Sequence, residues 1–204
     1  MIYDVLIIGG SVAGVSCALI LGSAGKKPFV ENKKIGLIAH QRASALRDGL
    51  YNNAFGIPAG TLGADLLVAS IEQLKNTYSQ IDCIENEKVL KIEKKINDTF
   101  LVYTNKEHAL ETKLVVIATG NGSMEIEGLG NYVEAHKKSI ASKNRIQLKN
   151  IDHLVIPGIY VAGTLAGHRS QLAIASGSGA MVATDILVLW NDGNETQAHD
   201  SIKK

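Results

Sequence analysis

Apolar positions follow two rhythms along this chain. Tyr3 to Ile8 is a short, β-branched apolar run that stops at Gly9-Gly10, the pattern of a strand buried on both faces. Val12 to Ala24 is apolar on nearly every side, which suits a helix covered on more than one face, with Gly25 and two lysines at its end. Pro28-Phe29-Val30-Glu31 reads as a second short strand ending on an acid, and residues 32–62 read as functional loops with at most a short helix. Leu67, Ile71, Leu74 and Tyr78 recur at helical spacing, with Asp65, Glu72 and Lys75 elsewhere on the wheel, so an amphipathic helix of about four turns is expected there.

Residues 87–118 return to strand character. Val89 to Ile92, Thr99 to Thr104 and His108 to Thr112 are separated by the turn pairs Asn97-Asp98 and Asn105-Lys106, and Leu114 to Ala118 is a further apolar strand. Residues 121–152 are polar, with Arg145 to Leu148 as a short strand. Gly158 to Ala162 is a last core strand, Gln171 to Trp190 a last helix, and 191–204 a polar tail expected to fray. The order implies an α/β fold: a Rossmann-like parallel sheet in three layers, with a small antiparallel meander over 87–113 appended, in one domain over 1–190.

Composition narrows the class. A chain of 204 residues with 46% hydrophobic and 20% charged residues can bury a core without disulfides, and disorder is excluded for most of it. Net charge is +1, and the lysine pairs are scattered, so no nucleic-acid surface is expected. Cys17 and Cys83 form no C-x-x-C motif and read as reduced core thiols. The six histidines lack metal-ligand spacing, and no metal site is expected. No run reaches the ~18 apolar residues of a membrane helix, and the N-terminus lacks a signal-peptide pattern, so a cytoplasmic protein is expected.

The chemistry starts at Gly9-Gly10-Ser11-Val12-Ala13-Gly14, between a strand and a helix. It matches G-x-G-x-x-G at its first and third glycines, with Ser11 in the second place. Such a turn offers unpaired helix N–H groups to a pyrophosphate. Glu31, seventeen residues past Gly14, has the spacing of an acid that binds a ribose 2′-hydroxyl. A ligand-free glycine turn is the plainer alternative, but strand, helix and acid in register favour a dinucleotide, FAD or NAD.

Further segments resemble the two-dinucleotide-domain flavoproteins, in particular bacterial thioredoxin reductases. Leu114 to Gly120 looks like their "ATG" segment, and Pro157 to Thr164 like their second FAD motif. Gln171 to Ile174 with Ser176 to Met181 is similar to their C-terminal helix, and Asn53-Ala54-Phe55-Gly56 resembles their flavin-side loop. The matches keep the family's order over about 1–120 and 143–190. They imply bound FAD, with cofactor contacts at Gly9, Ser11, Val12, Ala13, Gly14, Glu31, Asn32, Asn53, Val89, Ala118, Thr119, Gly120, Gly163, Thr164, Gln171, Leu172 and Ala173. The small-residue stretch around Gly177 and Gly179 also suits tight helix packing with no ligand at all.

The departures shape the functional expectation. Thr164 stands where the family has an Asp that holds a ribityl hydroxyl. Only 37 residues separate Gly120 from Gly158, where thioredoxin reductases insert a nicotinamide domain, and the redox C-x-x-C is missing. His168 and Arg169 are either flavin neighbours or a solvated loop, and His40 and Arg42 either meet the pyrophosphate or face water. The resemblance implies an FAD oxidoreductase fed by a redox partner protein or a small-molecule reductant, with a homodimer expected. A non-catalytic flavin-binding module is the alternative, and no catalytic residue is assigned.

Overall fold

The computed structural model describes residues 2–41 and 44–200. In chain order the elements are β1 (Ile2–Ile8), α1 (Val12–Ser23), β2 (Ile35–Ala39), β3 (Leu50–Tyr51), β4 (Thr61–Leu62), α2 (Gly63–Thr77), β5 (Ile81–Glu85), β6 (Val89–Lys94), β7 (Phe100–Thr104), β8 (Ala109–Ile117), β9 (Val133–Ala135), β10 (Ile146–Leu148), β11 (Leu154–Ile156), β12 (Ile159–Val161) and α3 (Leu172–Trp190).

The main sheet runs β11-β12-β8-β1-β2-β5, with β7 and β6 attached through β8. β12, β8, β1, β2 and β5 are parallel to one another. Their residues alternate between two cores. Val5, Ile7, Leu37, Leu114 and Val116 face a layer formed with α1, α2 and α3. Leu6, Ile8, Ile38, Val115 and Ile117 face the meander and the 126–165 segments. Burial on both faces is why these strands read as unbroken apolar runs. The Rossmann-like, three-layer α/β expectation stands.

Several expectations change. The segment 28–31 is not a strand. It winds through helical turns, with the amides of Val30 and Glu31 bonding the Lys27 carbonyl, and Val30 is apolar because it plugs the helix-side core. The second strand is β2, displaced by several residues into what reads as a loop. The expected strands near His108 and from Leu114 are one strand, β8. Its first half pairs antiparallel with β7 through Ala109–Thr112, and its second half pairs parallel with β12 through Val115–Ile117. β10 has an unforeseen partner, β9.

The tail is docked rather than frayed, as far as it is described. Ala198 is buried in the helix-side core, and the Tyr78 hydroxyl donates to Asp200. By length and composition, α3 also qualifies as a helix able to cross a membrane, contrary to the sequence reading. In this fold its Val182, Ala183, Ile186 and Leu187 are buried in the helix-side core.

Candidate functional site

The glycine turn lies at the C-terminal edge of the parallel strands. The Gly9 N–H donates to the Ile38 carbonyl (2.9 Å), and the Ala118 N–H to the Ile8 carbonyl (2.8 Å), so the ends of β2, β1 and β8 are tied together there. Gly9 has φ +123°, open to glycine and strained for other residues. A Cβ on Gly14 would stand 1.8 Å from the Gly9 carbonyl oxygen, which fixes how closely α1 approaches the turn.

Ser11 occupies the N-cap of α1 in an extended conformation, yet its side chain caps nothing. Its hydroxyl pairs with Ser44 instead (2.9 Å). Gln171, the N-cap of α3, also forms no side-chain cap. Two helix N-termini are therefore left without capping side chains. Around Ala13 the first turn of α1 meets the body of α3, two turns past its start: a Cβ on Gly179 would lie 2.0 Å from the Ala13 carbonyl oxygen, and one on Gly163, in the loop before α3, would lie 3.0 Å from the Ala13 Cβ. Gly9, Ser11, Val12, Ala13, Gly14, Ala118 and Gly163 thus come together, with Thr119, Gly120 and Thr164 next to them in the chain, while Gln171, Leu172 and Ala173 lie at the start of α3, two turns from its contact with Ala13. This edge of the sheet carries the uncapped amides of the first turn of α1. Thr164, where no acid stands, accepts at its carbonyl from the His136 ring Nε2 (3.0 Å), whose Nδ1 accepts from the Lys138 N–H (3.1 Å).

Glu31 and Asn32 do not join this site. Both are exposed and precede Ile35, whose partner is Val5, whereas the glycine turn follows Ile8, whose partner is Ile38. They lie at the opposite edge of the sheet, because the strand expected to carry Glu31 into place starts after it. The residues that follow β2 at the proper edge are His40 and Gln41. Gln41 Nε2 donates to the carbonyls of Gly10 (2.6 Å) and Leu67 (3.1 Å). Beside it is a cleft of about 200 Å³ lined by Ala39, Gln41, Arg47, Glu85 and Asn86. Glu85 is ion-paired with Lys75. Sequence reading named His40 but missed Gln41, Arg47, Glu85 and Asn86, although Ile35 to Ala39, five apolar-compatible positions between Lys33-Lys34 and His40-Gln41, carried a strand signal.

Val89 begins β6, buried, three residues beyond Asn86. Asn53 is exposed on the loop joining β3 and β4, a two-stranded sheet apart from the main one. Arg42 lies outside the described residues. Arg169 is exposed, whereas His168 is not: its Nε2 lies 3.0 Å from Nε2 of His153. His153 also touches Ser178 Oγ (2.9 Å), which accepts from the Gly163 N–H (2.8 Å). Burial holds both His153 and His168 below the ordinary imidazole range. For His153 the neighbouring His168 adds to this and Asp152 opposes it; for His168, Lys138 and His136 add to it. Cys17 and Cys83 are unpaired, and burial pushes both thiols up, so neither is poised as a thiolate.

Residues 3–174 match the family described as pyridine nucleotide-disulphide oxidoreductase. Curated relatives include ferredoxin–NADP reductase 1 of Listeria welshimeri, 28% identical over 163 residues that cover 79% of this chain and 47% of that protein. Another is the ferredoxin–NADP reductase of Leuconostoc citreum, 26% identical over 183 residues that cover 89% and 48%. The chain thus spans about half the length of the curated relatives it matches. Among solved structures, a thioredoxin reductase from Gloeobacter violaceus superposes with a TM-score of 0.69 at 13% identity, covering 100% of this chain and 99% of that one. A ferredoxin-flavin thioredoxin reductase from Clostridium acetobutylicum gives 0.66 at 20% identity, covering 94% and 98%. At those identities the structures establish the fold. The family match over most of the chain goes further: this protein belongs to the pyridine nucleotide-disulphide oxidoreductases, and FAD is its cofactor.

Proposed function

We propose that residues 1–190 form one FAD-binding oxidoreductase unit that takes electrons from a redox partner protein or a small reductant. The observation that carries this is the packing of Gly9, Gly14, Ala118 and Gly163 around the uncapped N-terminus of α1 at the C-terminal edge of the parallel strands. In this reading the N–H groups of Ser11 to Gly14 hold the pyrophosphate. Gly163, Thr164 and Ala118 to Gly120 line the middle of the cofactor. Gln171, Leu172 and Ala173 present positive helix-dipole charge to its ring system. The cleft beside Gln41 takes the adenosine end, with Val89 behind it, and Asn53 is assigned by its resemblance to the flavin-side loop. When bound, FAD supplies the redox chemistry. The protein orients it, and the hydroxyl of Thr164 replaces the family's carboxylate. Release of a yellow chromophore with the mass of FAD on denaturation tests the reading, and a colourless protein that cannot be reconstituted with FAD defeats it.

The displaced strand changes what mutagenesis at the adenosine end should show. Glu31→Ala is expected to leave FAD affinity unchanged. Gln41→Ala frees the Gly10 and Leu67 carbonyls and should weaken binding by about 1 kcal/mol, near fivefold. Fluorescence titration of the apo-protein separates the two, and a large loss at Glu31 would restore the discarded assignment.

Electron delivery follows from the segment between Gly120 and Gly158. Its described elements are short 3-10 turns and the strands β9, β10 and β11, none a second dinucleotide turn. Hydride transfer needs donor and acceptor held roughly 3–3.5 Å apart and aligned. Slow, unsaturating bleaching by NADH and NADPH alike is expected in anaerobic stopped-flow mixing. Fast, saturable, nucleotide-selective bleaching would show a nicotinamide site in this segment or in 32–62. A cytoplasmic location, which suits the unpaired cysteines, and a homodimer complete the proposal. Exposed Ile174, Met181 and Leu189 along α3 offer apolar surface for pairing, and light scattering at micromolar concentration tests it.

A further inference from the structure

His153 sits where the backbone would be better served by glycine. Ile151 and Leu154 bond each other's backbone across a two-residue hairpin turn. The two central residues, Asp152 and His153, both have positive φ, +45° and +69°. Such turns favour Asn-Gly or Gly-Gly, and strain retained at a bulky residue points to a use for its side chain. Here the ring is carried inward until His153 is 4% exposed. It lies in hydrogen-bond contact with His168 and Ser178, while its Nδ1 is buried with no partner.

We propose that His153, paired with His168, is a positioning residue of the cofactor site, holding the Ser178 hydroxyl on the Gly163 amide and releasing it when the pair takes up a second ring proton. This rests on the FAD reading above. Two Nε2 atoms 3.0 Å apart are joined by one hydrogen, so one ring donates and the other accepts. With a proton on both nitrogens, N–H faces N–H and the contact cannot survive. The rings then part, and His153 leaves Ser178, the only side chain on the Gly163 amide among the described residues. The charges facing the pair resist that proton. Lys138 and His136 lie on the His168 side, and burial and the N-terminal half of α3 lie on the His153 side. Asp152 alone favours it. The paired state therefore holds at neutral pH and opens as pH falls below the ordinary histidine value of about 6.5. His136, which follows β9 and bonds the Thr164 carbonyl from its ring Nε2, also faces the Gly163–Thr164 loop.

Two measurements test this. Ring-nitrogen NMR of the purified protein should show His153 and His168 titrating as a coupled pair, with His168→Gln moving the His153 midpoint upward. The dissociation constant for FAD should rise about tenfold between roughly pH 7 and 5 in the parent protein. In His153→Gly, whose backbone suits the turn, it should be about fivefold weaker at pH 7 and flat with pH, and Ser178→Ala should behave the same way. Independent titrations overturn the pairing. A parent-like pH profile in His153→Gly overturns the positioning role. A shift of both rings on adding Zn²⁺ at stoichiometric concentration makes the pair a metal site instead and overturns the proposal. A parent protein that binds no FAD at any pH defeats the cofactor reading and with it the loop's role, while the titration separately decides whether the pair exists.

Discussion

Gly14→Ala should abolish useful FAD binding, with a loss of a hundredfold or more, about 3 kcal/mol. The reason is steric. Gly14 does not have the positive φ that strains other residues, so alanine has no backbone objection to the site. Its methyl carbon, however, would stand 1.8 Å from the Gly9 carbonyl oxygen and 3.0 Å from the Gly9 carbonyl carbon. Neither is the soft end of a side chain. The first turn of α1 must withdraw from β1 by more than an ångström, and the N–H groups of Ser11 to Gly14 withdraw with it. Because they act together on one pyrophosphate, a small displacement costs several hydrogen bonds at once. Stability should also fall, by about 1–3 kcal/mol, the usual range for overpacking. Titration of apo-protein with FAD, alongside urea denaturation, checks both effects. Ser11→Ala is the control: its side chain caps no helix amide, so its affinity should stay near that of the parent.

The second large effect separates two glycines in one helix. Gly179→Ala would place a Cβ 2.0 Å from the Ala13 carbonyl oxygen and 3.0 Å from the Ala13 Cα. α1 and α3 would be forced apart, and net destabilisation of about 1–3 kcal/mol is expected even after alanine's helix-propensity gain of about 1 kcal/mol. Gly177→Ala meets nothing within 4 Å. It keeps the propensity gain without the clash and should stabilise the apo-protein by about 0.5–1 kcal/mol. Denaturation midpoints of opposite sign are the expected result, and two changes of the same sign would contradict the packing described here.

These glycines show where sequence reading stops. Gly177 and Gly179 look alike in the chain, and both suggested close packing. Only Gly179 faces another backbone, and that fact belongs to the third dimension. What was legible followed from continuous pattern: the apolar runs of β1 and β8, the periodicity of α2, the all-round apolar α1, the apolar run of α3, and the strand–glycine–helix junction at Gly9 to Gly14. β3, β4, β9 and β11 are two or three residues long, too short to show a period. Val30 misled because one buried residue in a turn imitates strand hydrophobicity, and that error carried Glu31 and Asn32 into the site. The His153–His168 contact had no signal, since Asp-His is not a turn pair that sequence statistics would mark. The roles proposed for Pro157 to Thr164 and for the start of α3 rest on resemblance alone, because backbone donors are something most sequences could supply.

β8 serves two neighbours along one edge, β7 by its first half and β12 by its second, and this binds the fate of the meander to that of the nucleotide sheet. Proteins open in cooperative blocks, and an antiparallel hairpin at a sheet margin is ordinarily an early block to let go. Here the strand that closes the meander continues into the centre of the core at Val115 to Ile117, all fully buried. Separating β7 from β8 strips the amides and carbonyls of Ala109 to Thr112 from a strand whose other edge is still paired with β1 through Glu111 and Thr112. The meander is thus an outwork of the central strand rather than a detachable flap. Amide hydrogens of Phe100 to Val102, opposite Leu110 to Thr112, belong in the slow-exchanging class of the sheet centre, while those at the Asn97-Asp98 tip open on their own.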